Sequence, residues 1–362
     1  MRVVFAPDSF KGSIDAISLT HALAAGWATV RPQDTLVLLP QADGGEGTLD
    51  AIASCHSHVA WQSVPAVDGP EGRKTTGRWL LLDDGTAVVE LAQMSGLPLM
   101  KTLDAGGATT TGLGQVINAA LDSGVNSLLI GLGGSASTDG GAGALRALGA
   151  KLLDRNGCGI GNGGSALAQL TKIDIRSLRP PPPGGVELLT DTTAVLRGPS
   201  GAAYVFGPQK GANQQLCASL DAALGQFAAC LETVTCTDTD EPGSGAAGGT
   251  AFGLSAWGGT LVPGAKRIAD LTGLSDEFGR ADVIVTGEGR FDETSLTGKL
   301  VGSVLRQCAD TATRAIVVAG QVTTPPPDIA IALEKLAGSA EEAIAHPSHW
   351  ARLAGAIAAE ML

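Results

Sequence analysis

Three glycine-rich segments of this chain bear acids: DGGEGT at Asp43–Thr48, GGSASTDGGAG at Gly133–Gly143 and TGEGRFDETSLTGK at Thr286–Lys299. Each sets carboxylates among residues with little or no side chain. A ligand can then approach the backbone N–H groups while the acids stay beside it. Glycine costs backbone entropy, so three such segments in one chain need a reason beyond turning corners. A phosphate with its metal ion supplies one: amides cradle the oxygens and carboxylates hold Mg²⁺. The plainer alternative is that these segments only link strands to helices in an α/β fold.

The elements that would position these segments follow from composition and periodicity. A chain of 362 residues is long for one core and comfortable for two domains. Apolar residues make up 44% and aromatics only 4%, so the core is aliphatic, as in α/β layers with buried parallel strands. Val3–Ala6 reads as a strand. Ile14–Val30 reads as a helix capped by Ser13 or Asp15 and stopped before Pro32. A strand at Leu36–Leu39 and a helix from Glu46 to Cys55 follow. Trp61–Val67, Thr75–Leu82 and Thr86–Leu91 read as antiparallel strands, the last two joined through Asp83-Asp84-Gly85. A helix over Thr111–Gly124, a strand at Ser127–Leu132 and a helix at Gly143–Leu148 come next. Val186–Thr190 is a strand after the rigid Pro180–Pro183 segment, and Thr233–Gly249 reads as a long polar loop. Late in the chain come a strand at Asp282–Thr286, a helix at Leu296–Ala309, a strand at Ala315–Ala319 and a closing helix at His349–Met361.

This order predicts an α/β protein of two domains. Residues 1–62 and 262–362 form a parallel-sheet, Rossmann- or flavodoxin-like domain. Residues 63–261 form an inserted mixed α/β domain, and a ligand cleft lies between the two. The acidic segments each follow a strand, where open parallel sheets bind ligands. Pro7–Ser13 after the first strand occupies the same kind of position.

Charge and cysteine usage narrow the function classes. With 24 basic against 36 acidic residues the formal charge is −12, and no basic cluster interrupts it. Nucleic acid or an anionic membrane is therefore not the expected partner. No apolar run approaches the ~20 residues of a membrane span. The chain enters a strand directly at Arg2, with no signal-peptide pattern, so a soluble, cytoplasmic protein is expected. Cys55, Cys158, Cys217, Cys230, Cys236 and Cys308 show no metal-ligand spacing and read as reduced, mostly buried residues. The pairs His56/His58 and His346/His349 have no third ligand nearby, which argues against zinc.

Two motif readings fail. No G-x-x-x-x-G-K-[ST] is present: Gly298-Lys299 lacks the leading glycine, and Leu300 stands where Ser or Thr belongs. The protein-kinase motif set is absent too. Gly131–Ala136 fits G-x-G-x-x-A after a strand, with Asp154 further on. That suggests a dinucleotide fold, but an acid stands where the pyrophosphate would sit.

In ordered blocks the chain resembles the bacterial glycerate kinase family, type I, which includes glycerate 2-kinases. The blocks are APDSFKGS at Ala6–Ser13, DGGEGT, GLGGSASTDGGAG, FGPQKGA at Phe206–Ala212, GAAGG at Gly245–Gly249 and TGEGRFDETSLTGK. The resemblance implies transfer of the ATP γ-phosphoryl group to D-glycerate with Mg²⁺, giving 2-phosphoglycerate. It also implies a two-domain α/β architecture. The chain departs from the family pattern at Thr138 (Asn is usual), at Thr294 (Gln is usual), around Asp191 and in the Pro-rich Pro325–Pro327.

Phosphoryl transfer needs held phosphates, an aligned hydroxyl and positive charge for the developing oxyanions. On the resemblance, Asp43, Glu46 and Asp191 are the candidate Mg²⁺ ligands. Asp43, Asp191, Lys11, Glu288 and Arg290 are the catalytic candidates. Asp8, Ser9, Lys11, Arg290 and Asp292 would grip glycerate, cations on its carboxylate and acids on its hydroxyls. Gly133, Gly134, Ser135, Asp139, Gly140, Lys210 and Lys299 would receive the nucleotide phosphates. Asp139 could instead be only a helix cap, and Lys210 and Lys299 only surface charges. A homodimer is allowed. An NAD(P)-dependent hydroxy-acid oxidoreductase and a non-catalytic hydroxy-acid binding protein are the alternative functions.

Overall fold

A computed structural model describes residues 1–235, 238–296, 300–311, 313–326 and 329–362. Cys236 and Lys299 lie outside this set. The strands, in chain order, are β1 Arg2–Pro7, β2 Thr35–Leu38, β3 Val59–Asp68, β4 Lys74–Leu82, β5 Thr86–Glu90, β6 Ser127–Gly131, β7 Lys151–Leu153, β8 Lys172–Asp174, β9 Val186–Leu189, β10 Gly259–Val262, β11 Val283–Phe291, β12 Arg314–Val322 and β13 Ile329–Ala332. The chain divides into two compact units. The first comprises Met1–Asp43, Asp50–Ser57 and Gly264–Leu362, and the second Gly44–Leu49 and His58–Pro263.

The first unit is built on a five-stranded sheet of order β13-β12-β11-β1-β2, parallel throughout. Alternate residues of its strands feed opposite faces. Val3, Phe5, Val283, Val285, Ile316 and Val318 pack on one side with the helix Ala16–Val30 and the closing helix Pro347–Glu360. Val4, Ala6, Ile284, Val317 and Ala319 pack on the other with the helices Gly264–Thr272 and Leu300–Thr311. Asp15 caps the first helix, accepting from the Ser18 N–H at 2.7 Å. From β1 the chain proceeds outward to β2 on one side, while β11, β12 and β13 build outward on the other. The boundary between β1 and β11 is a topological switch point, where open α/β sheets bind ligands.

The second unit holds a six-stranded mixed sheet of order β10-β9-β6-β5-β4-β3 and a small β7-β8 pair. β10, β9, β6 and β5 run parallel, whereas β5-β4 and β4-β3 are antiparallel. The antiparallel strands match the hairpins read from the sequence. One large core spans this unit, from Val67 and Trp79 to Phe252 and Trp257.

Three expectations about elements need correcting. The strand expected at Asp282–Thr286 runs on to Phe291, so Glu288 and Arg290 lie on a strand and not on a loop. Their glycine neighbours suggested a loop, but a Cβ at Gly287 would collide with the Val318 carbonyl of β12. Close strand pairing requires glycine there. The long loop expected over Thr233–Gly249 is interrupted, because Ala246 opens a helical segment that continues to Ala256 through left-handed Ala247, Gly248 and Gly249. The third concerns Gln214–Glu232, a helix in a stretch to which no element was assigned.

Candidate active site

At the switch point of the first unit the chain ends of β1, β11, β12 and β13 surround a pocket of about 500 Å³. After β1 the backbone closes a tight turn: Phe10 and Ile14 exchange N–H···O bonds of 2.9 and 3.1 Å. That turn carries Lys11 into solvent, its side chain 60% exposed and its Nζ 3.9 Å from the Asp43 carboxylate. Asp8 and Ser9 line the pocket beside it, and the Ser9 N–H donates to the Asp8 carboxylate at 2.6 Å. Glu288 and Arg290, two apart on β11, supply the facing wall with Gln321, the register partner of Arg290 on β12.

Carboxylates and cations therefore line the same pocket. Asp8 is not sealed from solvent, yet its surroundings raise its pKa. Burial first, and the Asp43 charge second, push the carboxyl up to about 8, against the opposing pull of Lys11 and the Ser9 hydrogen bonds. A carboxyl whose ionisation a second acid opposes suits a divalent cation, since Mg²⁺ is held by one or two carboxylates together with substrate phosphates. Asp292 is not among the lining residues. Its carboxylate accepts from the Thr294 N–H (2.9 Å) and hydroxyl (2.6 Å) and lies 3.5 Å from the Arg290 Nε.

The other candidates belong to the second unit. There the carboxyl ends of β6 and β9 meet the Gly44–Leu49 segment. The Gly133 N–H donates to the Gly44 carbonyl at 3.0 Å. A Cβ at Gly131 would lie 2.5 Å from that same oxygen, and one at Gly133 would collide with Gly45. The glycines of these two loops thus allow backbone to pack on backbone, a role that sequence could not separate from phosphate binding. Glu46 is exposed and Asp191, just past β9, is partly exposed. Glu90, which the sequence reading passed over, is buried at the end of β5 and accepts from the Leu49 N–H at 3.1 Å.

Within the loop that follows β6, Gly134 is exposed and Gly133 partly so, while Ser135 and Gly140 are buried. Asp139 is fully buried and does not begin the helix, which starts at Ala142. Its carboxylate accepts from the Thr110 N–H and hydroxyl (2.9 Å each), the Gly141 N–H (3.1 Å) and the Gly143 N–H (3.2 Å). Lys210 is not a surface charge: it is 2% exposed. Its ammonium donates to Ser135 Oγ at 2.8 Å and to the Ser137 carbonyl at 2.5 Å. Burial pulls the Lys210 pKa down to about 7, with Asp139 opposing the shift. The hydroxyls of Ser95, Ser137 and Thr138 are buried without a hydrogen-bond partner, so this loop is polar inside.

Among the described residues no group of three or more His, Cys, Asp or Glu is placed to hold a metal ion. Asp43 belongs to the first unit, and Glu46 and Asp191 to the second. Three of the described cysteines, Cys217, Cys230 and Cys308, are buried. No described helix is long and apolar enough to cross a membrane. Sequence reasoning placed the Pro7–Ser13 segment at the site but gave Phe10 and Ser13 no role, and it missed Gln321, Leu333, Ala343 and Ile344, the last three because β13 and the short helices after it were not assigned.

Comparison with known proteins agrees with this architecture over the whole length. The chain is 38% identical over 332 residues to the glycerate 2-kinase of Escherichia coli K12, covering 89% of this chain and 86% of that one. It is equally similar, over the same span and coverage, to the glycerate kinase of Bacillus subtilis 168. A crystal structure of a Salmonella typhimurium LT2 protein assigned as a glycerate kinase 2 superposes with a TM-score of 0.83 at 34% identity, covering 100% of this chain and 98% of that one. The model of the glycerate kinase family matches residues 3–360, and the chain belongs to that family.

Proposed function

We propose that this protein transfers the γ-phosphoryl group of ATP to D-glycerate, giving 2-phosphoglycerate and ADP. The observation that carries the proposal is the switch-point pocket of the first unit. There two cations, Lys11 and Arg290, stand with two acids, Asp8 and Asp43, at the carboxyl ends of parallel strands. The family and the names of the relatives support the choice of acceptor.

In this reading Lys11 and Arg290 bind the glycerate carboxylate or the charge developing on the transferred group. Asp8 and Ser9 orient its hydroxyls, and Asp292 keeps Arg290 in place. Glu288 faces the same space. The acceptor oxygen forms a bond to the γ-phosphorus as the β–γ bridging bond breaks. Its proton passes to Asp43 or Asp191, and ADP leaves with the electron pair. The amides of Gly133 and Gly134 receive phosphate oxygens, and Ser135, Asp139, Gly140 and Lys210 hold that loop in shape. Lys299, also a candidate for phosphate charge, lies outside the described residues. Mg²⁺, when bound beside Asp43, would neutralise phosphate charge and align the transferred group, and Glu46 and Asp191 are the other candidate ligands. Alignment is the main demand of such a reaction.

Coupling to enolase tests both activity and regiochemistry. Enolase acts on 2-phosphoglycerate but not on 3-phosphoglycerate. ADP formation from D-glycerate with an immediate enolase signal is expected. A signal that waits for added mutase would show the 3-phosphate instead, and absence of ADP would remove the kinase reading.

A further inference from the structure

The switch-point pocket is far larger and more apolar than its acceptor requires. A three-carbon hydroxy acid is polar on every side. A cavity of about 500 Å³ is instead in the range that encloses much larger ligands. Away from Asp8, Lys11, Asp43 and Arg290, the wall consists of Leu300, Val301, Leu333, Ala343 and Ile344. The first four are nearly inaccessible to solvent, but Ile344 is 58% exposed, the highest exposure among the large apolar side chains described. Ile344 is thus the exposed part of the wall, and exposed aliphatic surface beside charge suits a ligand with one apolar end and one anionic end.

We infer that this aliphatic wall seats the heteroaromatic base of the nucleotide against Ile344, in a pocket also lined by the buried Leu300, Val301, Leu333 and Ala343. The nucleotide then runs from the wall toward Lys11 and Arg290, where its γ-phosphoryl group meets the acceptor. Position in the sheet supports the same occupant. The wall comes from the helix Leu300–Thr311 and from segments after β13, and the cations from the ends of β1 and β11. All lie at the strand ends where parallel α/β sheets take nucleotides. Gly289 lines the same pocket, and a Cβ there would make ordinary contacts of 3.6–3.9 Å with Phe10 and Lys11, so a methyl group would narrow the pocket lining without disturbing the chain.

The inference rests on the kinase reading for the identity of the ligand, and the two can fail separately. ADP and inorganic triphosphate are each titrated into the full-length protein by calorimetry. The proteins compared are the wild type, Ile344→Gln and Gly289→Ala, and thermal melts confirm folding. Ile344→Gln removes apolar surface without adding charge. It should weaken ADP binding about tenfold, the scale of a lost apolar contact in a pocket, and leave triphosphate binding unchanged. Gly289→Ala should weaken ADP binding as well. Unchanged ADP affinity in both variants overturns the inference. So does an increase in glycerate KM with ADP affinity kept, because the wall would then belong to the acceptor. Glycerate-dependent ADP formation by the wild type decides the kinase reading independently.

Discussion

A lysine with 2% exposure is expensive to keep charged, and Lys210 shows the consequence in its pKa of about 7. The unfolded chain holds this proton up to about pH 10.5. Between pH 7 and 10.5 the unfolded state therefore binds more protons than the native one, so Lys210 makes stability rise with pH across that window. Its favourable contribution is full above pH 10.5 and is lost as pH falls through 7. Denaturant titrations of wild type and Lys210→Met should show this: the slope of stability against pH in that window should shrink in the variant. The variant also loses the hydrogen bonds to Ser135 and Ser137, so its nucleotide KM should rise while melting at pH 6 changes little or improves. The acids act differently. Asp43→Asn and Asp191→Asn keep shape but remove charge, and each should lower kcat ~10²-fold or more with folding preserved. Steady-state rates at saturating Mg²⁺ check this, and near-wild-type turnover in both would remove the assignment.

At the scale of elements, the two glycine loops of the second unit are one construction. Gly131 and Gly133 close on Gly44 and Gly45 with no space for a Cβ. Gly133→Ala should force backbone apart and destabilise by about 1–3 kcal/mol, as overpacking does elsewhere. A thermal melt should register it as a drop of several degrees. Gly289→Ala, whose Cβ would make only ordinary contacts of 3.6 Å or more, should melt with the wild type, and that contrast tests whether the loops need glycine for packing. Much of this level was legible. The Asp83-Asp84-Gly85 turn between β4 and β5, the β1 strand and the Asp15-capped helix follow from local rules. The helix Gln214–Glu232 went unread, although Cys217, Leu220, Leu224, Phe227 and Leu231 repeat at helical spacing and are buried. The continuation of β11 through Gly287–Phe291 was not legible, because its glycines earn their place only against β12.

At the scale of the whole molecule, the chain order has a folding consequence. The first unit is assembled from three segments, and its β12, β13 and closing helix lie beyond residue 313. Removing residues 314–362 takes Ile316, Val318, Ala351, Ala354 and Ala358 from the core around Phe5 and Trp27. Hydrogen exchange should then show β1 and β2 losing protection. β5 and β6 should stay protected, because their core lies within the second unit.

The sequence by itself determined the α/β class, the aliphatic core and the ordered blocks that mark the family. Each of these depends on composition or on neighbours a few residues apart. Tertiary structure decided which acids and cations meet. Asp8, Lys11 and Asp43 join Glu288 and Arg290 only because β1 pairs with β11 across some 280 residues. It also decided that Asp139 and Lys210 work from inside, a matter of burial that no local pattern encodes. The aliphatic end of the pocket arose in the same way, since Leu300, Leu333 and Ile344 look like ordinary core residues until the fold leaves a cavity beside them.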